Sequence, residues 1–344
     1  MLPARSEQRA AGATTPLQLG SAARWWLRTL FRVSRNARWL VYLLKPLAVW
    51  CALHFSRKAR YSTFANARRI FGPEASDAQC AALGPKVVGN FIDFVVDVAR
   101  SSAMTAAQLR ERIETVEGRD AYVEFRKRTR TGAIVVTAHM GSFEVGLAAL
   151  ADVEPHIHVV FKRDEHDGFE ILRTSLRQTL DVNEAPIDDG WETWMRLRDA
   201  LTANHVVVMQ ADRAMPGQKA QAVPMCNGHV LLPLGPVKLA QISGAPIIPV
   251  LTVRTKSGRC RLFVEAPIHV DGSDEWINGV HPALLQLAAV LEKYITAYPD
   301  QWLVLDPAFI EDAVEPADPA PHVQAQETPA PIDAGSPAFS PDSQ

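Results

Sequence analysis

The sequence predicts an α/β domain, a largely buried central sheet flanked by helices, behind an N-terminal hydrophobic helical segment. Three observations predict it. Past residue 130, short β-branched runs alternate with stretches of helical length and periodicity. Runs such as AIVV at 133–136 and IIPVLTV at 247–253 have the character of buried strands. Residues 1–72 are set apart by charge: thirteen Lys and Arg stand against the single acid Glu7, although the 344-residue chain has a net charge of only −2.

In chain order, residues 1–72 are expected to form a basic membrane anchor rich in tryptophan. Four of the eight tryptophans, Trp25, Trp26, Trp39 and Trp50, fall in the first 50 residues. Aromatic rings settle at the headgroup level of a bilayer and cations face anionic lipid, so an anionic membrane surface is the expected partner and nucleic acid is not. Ala37 to Phe55 is near the lower length limit for spanning a bilayer. Lys45 and Pro46 interrupt it, and a lysine at the bilayer centre costs on the order of 3 kcal/mol. A helix lying in the interface is therefore favoured over a span, which stays open. The apolar stretch starts late and no small-residue cleavage site follows it, so a secretory signal is not expected.

Residues 73–310 are expected to hold the α/β domain. Helices are predicted over 83–100, 105–114, 143–152, 167–180, 191–203, 234–243 and 281–298, and strands over 132–138, 157–161, 205–211, 247–253 and 260–266. From Glu311 to the end there is no Lys or Arg, and seven prolines mix with Ala, Asp and Glu. That composition predicts a disordered acidic tail. The four cysteines are scattered with no metal spacing and fit reduced thiols on the cytosolic side. His156 and His158 alternate on a predicted strand near His166, without a carboxylate or cysteine at ligand spacing, so no metal or other cofactor is expected.

Two stretches carry chemistry. TAHMGSFEVG, residues 137–146, places His139 and Glu144 in an H-x-x-x-x-E pattern at a strand-to-helix junction. Open α/β sheets keep their ligand crevice at such junctions. Ser142 is not spaced for a nucleophile elbow and reads as a helix N-cap. An imidazole with a carboxylate to hold its tautomer suits deprotonation of a hydroxyl; a histidine that merely completes a turn is the plainer reading. MQADRAMPGQ, residues 209–218, puts Asp212 and Arg213 at the end of a second strand, where they are either part of the same site or a pair shaping a turn.

A third stretch, residues 226–250, carries Gly228, then Pro233-Leu-Gly-Pro236, Leu239-Ala240 and Gly244-Ala-Pro246; Tyr298-Pro-Asp-Gln-Trp302 closes the series. Taken in order with His139/Glu144 and Asp212, these motifs cover roughly residues 20–306 and resemble the lipid A late acyltransferases, the lauroyl/myristoyl transferase family. The resemblance implies a mixed central sheet of the glycerolipid acyltransferase kind. It also implies transfer of an acyl chain from an acyl carrier protein or acyl-CoA to a hydroxyl of a glycolipid, at the cytoplasmic face of the cell inner membrane. His139 and Glu144 are the expected catalytic pair, with Glu144 orienting the base. Arg177, Asp212 and Arg213 are expected on substrate, Arg177 or Arg213 meeting a phosphate; Arg173, one turn earlier, competes with Arg177. The family's basic ending after Gln-Trp is replaced here by Leu303-Val-Leu-Asp306. Another acceptor, such as a phosphatidylinositol mannoside, another glycolipid or a pigment-type lipid, is the alternative within enzymes. A catalytically silent lipid-binding membrane protein is the alternative outside them.

Overall fold

The computed structural model of the chain describes Thr29 and residues 32–313 apart from 163–166, 216, 273–276 and 278. Most of the basic stretch 1–31, His166 and the tail from Val314 lie outside the described residues. Within 32–313 the architecture is mixed α/β, with a central, mostly parallel sheet covered by helices.

The helix α1 (Arg38–Phe55) runs through Pro46 and turns by 94° into α2 (Arg57–Phe71). Ser56 makes the corner, its hydroxyl accepting from the Ala59 N–H at 3.1 Å as a helix N-cap. Both helices lie on α3 (Asp77–Ser101), which a Ser76/Gln79 capping box begins. Val41 and Lys45, one turn apart, face α3; the Lys45 stem reaches Gly89, where an added Cβ would stand 3.2 Å from Cε. The Lys45 ammonium meets the Asp93 carboxylate at 2.7 Å. The charge weighed in the sequence against membrane insertion is thus turned toward the protein and paired. The opposite side of α1 exposes Trp39, Leu43, Leu47 and Trp50, with Leu44 and Phe55 beside them. No single helix among the described residues is long and apolar enough to cross a membrane.

After α4 (Ala106–Glu111) the chain turns at once into β1 (Ile113–Glu117), so the predicted helix over 105–114 stops three residues early. There follow α5 (Arg119–Arg128), β2 (Ala133–Thr137), α6 (Phe143–Ala151), β3 (Ile157–Phe161), α7 (Asp167–Thr179) and β4 (Asn183–Pro186). Then come α8 (Trp191–Thr202), β5 (Val206–Gln210), the strands β6 (Ala220–Met225) and β7 (Gly228–Pro233), and α9 (Gly235–Ser243). The domain closes with β8 (Ile247–Arg254), β9 (Cys260–Val264) and α10 (Pro282–Ala297). The seven-stranded sheet has the order β1-β9-β8-β2-β5-β3-β4. Only β8 and β9 pair antiparallel in it, which makes the sheet mixed. β6 and β7 form a separate antiparallel hairpin where the sequence suggests only a turn and an apolar segment.

Strand periodicity divides the core in two. Ile134, Val136, Val207, Met209 and Ile247 face one large cluster with α9 and α10. Ala133, Val135, Val206 and Ile248 face the other side, beneath α6, where the apolar clusters are small and separate. That side holds the space described next. Glu311 and Asp312, placed by composition in the tail, belong to the fold: Asp312 takes Arg69 at 2.8 and 2.9 Å, and Glu311 takes His229 at 2.8 Å.

Candidate active site

β2 and β5 are adjacent and parallel, with Thr137 opposite Gln210, so the residues that follow both strands emerge at one edge. His139 and Asp212 meet there. The imidazole Nδ1 lies 2.8 Å from Asp212 Oδ1, and the indole N–H of Trp302 donates to Asp212 Oδ2 at 2.9 Å. The Asp212 side chain has no solvent exposure; His139 keeps a quarter of its own. Burial works against the charge on Asp212, but His139, Arg213 and the indole N–H outweigh it and hold the carboxyl at about 2. An ionised carboxylate only accepts, so Nδ1 carries a proton, and in the neutral ring the lone pair then lies on Nε2. Among the described residues Nε2 has no hydrogen-bond partner.

The loop that presents His139 is held by the closing motif. Leu303 N–H donates to the His139 carbonyl at 2.7 Å and Gly141 N–H to the Gln301 carbonyl at 3.0 Å. The Gln301 side chain pairs both ways with the Arg254 backbone, at 3.0 and 2.9 Å. Gly141 has φ +56°, and a Cβ there would stand 2.6 Å from the Thr252 carbonyl oxygen, so the turn admits only glycine. Ser142 stands at the N-cap of α6, but its hydroxyl makes no cap; it donates to Asp97.

Glu144 does not orient the imidazole. α6 begins at Phe143 and carries Glu144 toward α7, where its carboxylate forms an ion pair with Arg173 at 2.9 Å. Asp212, expected on substrate, is sealed behind His139 and takes the orienting position instead. Arg173, rather than Arg177, faces Glu144; Arg177 is buried, 3.2 Å from Glu184 and stacked 4.0 Å over the Phe161 ring. Arg213 remains partly exposed, with Asp306 at 3.8 Å. His158 and His205, 3.1 Å apart, sit at the opposite edge of the sheet, and among the described residues no three ligands converge on a metal position.

Beside the histidine a cavity opens to solvent. Thr137, Phe143, Glu144, Arg173, Gln210 and Thr252 line it at the site edge, and Phe143 stands edge-on to His139 at 5.8 Å. From there it runs between α6 and the sheet past Val135, Leu147 and Val208 to Val250, Val264 and Tyr122. Its lining is mostly apolar, as ligand clefts commonly are.

A histidine–aspartate pair thus stands at a sheet edge, next to a largely apolar slot. The chain belongs to the bacterial lipid A biosynthesis acyltransferase family, whose model matches residues 23–310, and it is an acyltransferase. Comparison with curated proteins gives no match.

The carboxyl at about 2 sets a pH dependence. Its folded value lies below the roughly 3.9 of an unfolded aspartate, so it contributes stability that is present above that value and is lost as pH falls through about 2. Trp302→Phe removes one donor from the carboxylate, raises its folded pKa and brings the acid loss to higher pH. Urea unfolding followed from pH 7 to pH 3 should show the variant weaker by about 1–3 kcal/mol at pH 7, the gap narrowing toward pH 3. A gap that stayed constant across that range would mean that the indole acts by packing alone.

Proposed function

We propose that His139 is the general base of acyl transfer to a lipid A-type glycolipid, and that Asp212 is the residue that positions it. The observation that carries the reading is the Trp302–Asp212–His139 relay, which leaves a lone pair on Nε2. The base takes the proton of an acceptor hydroxyl as its oxygen attacks the thioester carbonyl of an acyl carrier protein or acyl-CoA. The C–S bond then breaks, and the imidazolium returns the proton to the departing thiolate. Base catalysis of this kind is worth ~10²–10⁴-fold, and the remainder comes from positioning and charge stabilisation at the carbonyl. Arg173, held by Glu144, and Arg177 both line the cavity and are cations available to that carbonyl. Arg213, exposed beside Asp212, suits a phosphate of the acceptor or carrier. The acyl chain lies in the slot under α6, where each buried CH₂ contributes about 0.8 kcal/mol to its retention.

The exposed stripe of α1 supports attachment to a membrane, with the helix in the interface and its apolar side down; the cytoplasmic face of the inner membrane is the proposed location. Flotation with neutral vesicles in molar salt tests this: the protein should stay with the lipid, because screening with a Debye length of about 3 Å removes charge attraction but not insertion. Full release would leave only an electrostatic arm.

The base assignment has a test built on the indole. In Asp212→Asn, Trp302 can only donate, so the amide oxygen turns to it and the amide NH₂ turns to Nδ1. Nδ1 must then accept, the ring proton moves to Nε2, and the base is blocked. kcat should fall by ~10²–10⁴, as far as in His139→Ala. Adding Trp302→Phe frees the amide to flip and should restore part of the rate. A double variant no faster than Asp212→Asn, with both folded, would remove the tautomer argument; His139→Ala retaining a tenth of wild-type turnover would remove the base.

A further inference from the structure

A second recess lies on the far side of the Asp97 network from the cavity, between the start of α1, the end of α3, α4 and the β8–β9 hairpin. Its charge is unbalanced. Arg38, Arg100, Arg112, Arg254, Lys256 and Arg259 line it, against the single carboxylate of Glu111. Two buried acids beneath it answer only part of this. Asp97 takes Arg112 at 2.6 Å and Arg254 at 3.0 Å, and Asp93 takes Arg254 at 3.2 Å and Lys45 at 2.7 Å. Three cations therefore share two carboxylates before the rest are counted. Burial and then the neighbouring Arg112 and Arg38 push Arg100 below its ordinary value, the mark of a cation among like charges.

One lining residue has an unsatisfied group beneath the recess. Arg112 is more than nine-tenths buried, and Nη2 donates to Asp97 and to the Gly258 carbonyl. Its Nη1 is buried without a hydrogen-bond partner among the described residues. An unpaired buried guanidinium nitrogen costs on the order of 1–3 kcal/mol or more, so the Arg112 charge beneath the recess is incompletely answered by the fold. No ion pair holds Arg38, Arg100 or Lys256 among the described residues. Tyr42, on the rim, donates nothing to the recess but accepts from Arg254 at 3.3 Å, so the wall of α1 is part of the same assembly.

We propose that this recess binds the phosphate of an anionic lipid headgroup. Guanidinium forks match phosphate oxygens, and six cations around one opening exceed what the fold's own acids can neutralise. The lipid source follows from α1. Arg38 and Tyr42 on the rim belong to the helix whose exposed Trp39, Leu43 and Leu47 form the apolar stripe, so a phosphate in the recess would sit at the level of that stripe's polar border. The inference rests on the interfacial placement of α1 and not on the acyl-transfer chemistry; retention on neutral vesicles in molar salt reports the former separately.

The test uses the full chain and three probes: dihexanoyl phosphatidylglycerol below its micelle concentration, dihexanoyl phosphatidylcholine, and inorganic phosphate, each titrated calorimetrically. The phosphatidylglycerol should bind more tightly than either other probe, and inorganic phosphate should compete with it. Arg38→Gln/Arg100→Gln/Lys256→Gln should weaken it roughly a hundredfold, since each cation near anionic lipid contributes several-fold. Lys127→Gln/Arg128→Gln/Arg130→Gln, on and just past α5, removes the same charge elsewhere and should change binding little. Lys256→Gln alone, on an exposed hairpin, should give a several-fold loss and serves if the triple variant does not fold. Equal losses in the two triple variants, or none in Lys256→Gln, would overturn the site. Inorganic phosphate binding as tightly as the lipid would overturn the headgroup as its occupant.

Discussion

A carboxylate with no exposure must have its charge answered by its neighbours, and Asp212 has three such answers. The imidazole Nδ1 meets one oxygen, the indole of Trp302 meets the other, and Arg213 adds its field. That constraint reaches in several directions. It requires β2 and β5 to lie side by side so that the segments after them converge. It requires the 298–303 segment to return across the site, which it does by pairing with the backbone of His139 and Gly141. It also requires that Nδ1 of His139 carry a proton.

A second buried pair of acids, Asp93 and Asp97, joins parts that the sequence keeps far apart. Asp97 holds Ser142 of the histidine loop together with Arg112 and Arg254, and Asp93 holds Arg254 together with Lys45 of α1. Arg254 is kept above its ordinary value because, although burial opposes its charge, Asp97 and Asp93 outweigh it. Buried ion pairs of this kind contribute less to net stability than their Coulomb attraction suggests, but removing one partner costs about 3–5 kcal/mol. α1 and the loop that carries His139 are therefore tied to one junction, with the basic recess on its outer side.

Much of this was legible in the sequence. The strands at 132–138, 205–211 and 247–253 have continuous apolar character, and their positions hold within two residues. His139 and Asp212 were both readable as strand-end residues. Their pairing was not, because it depends on strand order between positions 73 apart. Proximity in sequence favoured Glu144 instead, yet a helix starting at Phe143 turns that side chain away to Arg173. Arg177 and Arg173 lie one turn apart and differ only in which neighbour each meets, which spacing alone does not say. β1 and β4 are short and polar enough, IETVE and NEAP, to lack a strand signal of their own; neighbouring strands impose it. Lys45 carried a cost in the sequence that a partner 48 residues away removes.

Asp212, not Glu144, is the carboxylate that meets the His139 ring, and the tautomer of the neutral ring should follow it. Nitrogen NMR of the full-length enzyme with ¹⁵N-labelled histidine, resolved against His139→Gln, reads it directly at neutral pH. The account predicts that the His139 ring bears its proton on Nδ1, that Glu144→Gln leaves it there, and that Asp212→Asn moves it to Nε2. A wild-type ring protonated on Nε2, or one that changes tautomer in Glu144→Gln but not in Asp212→Asn, would contradict it.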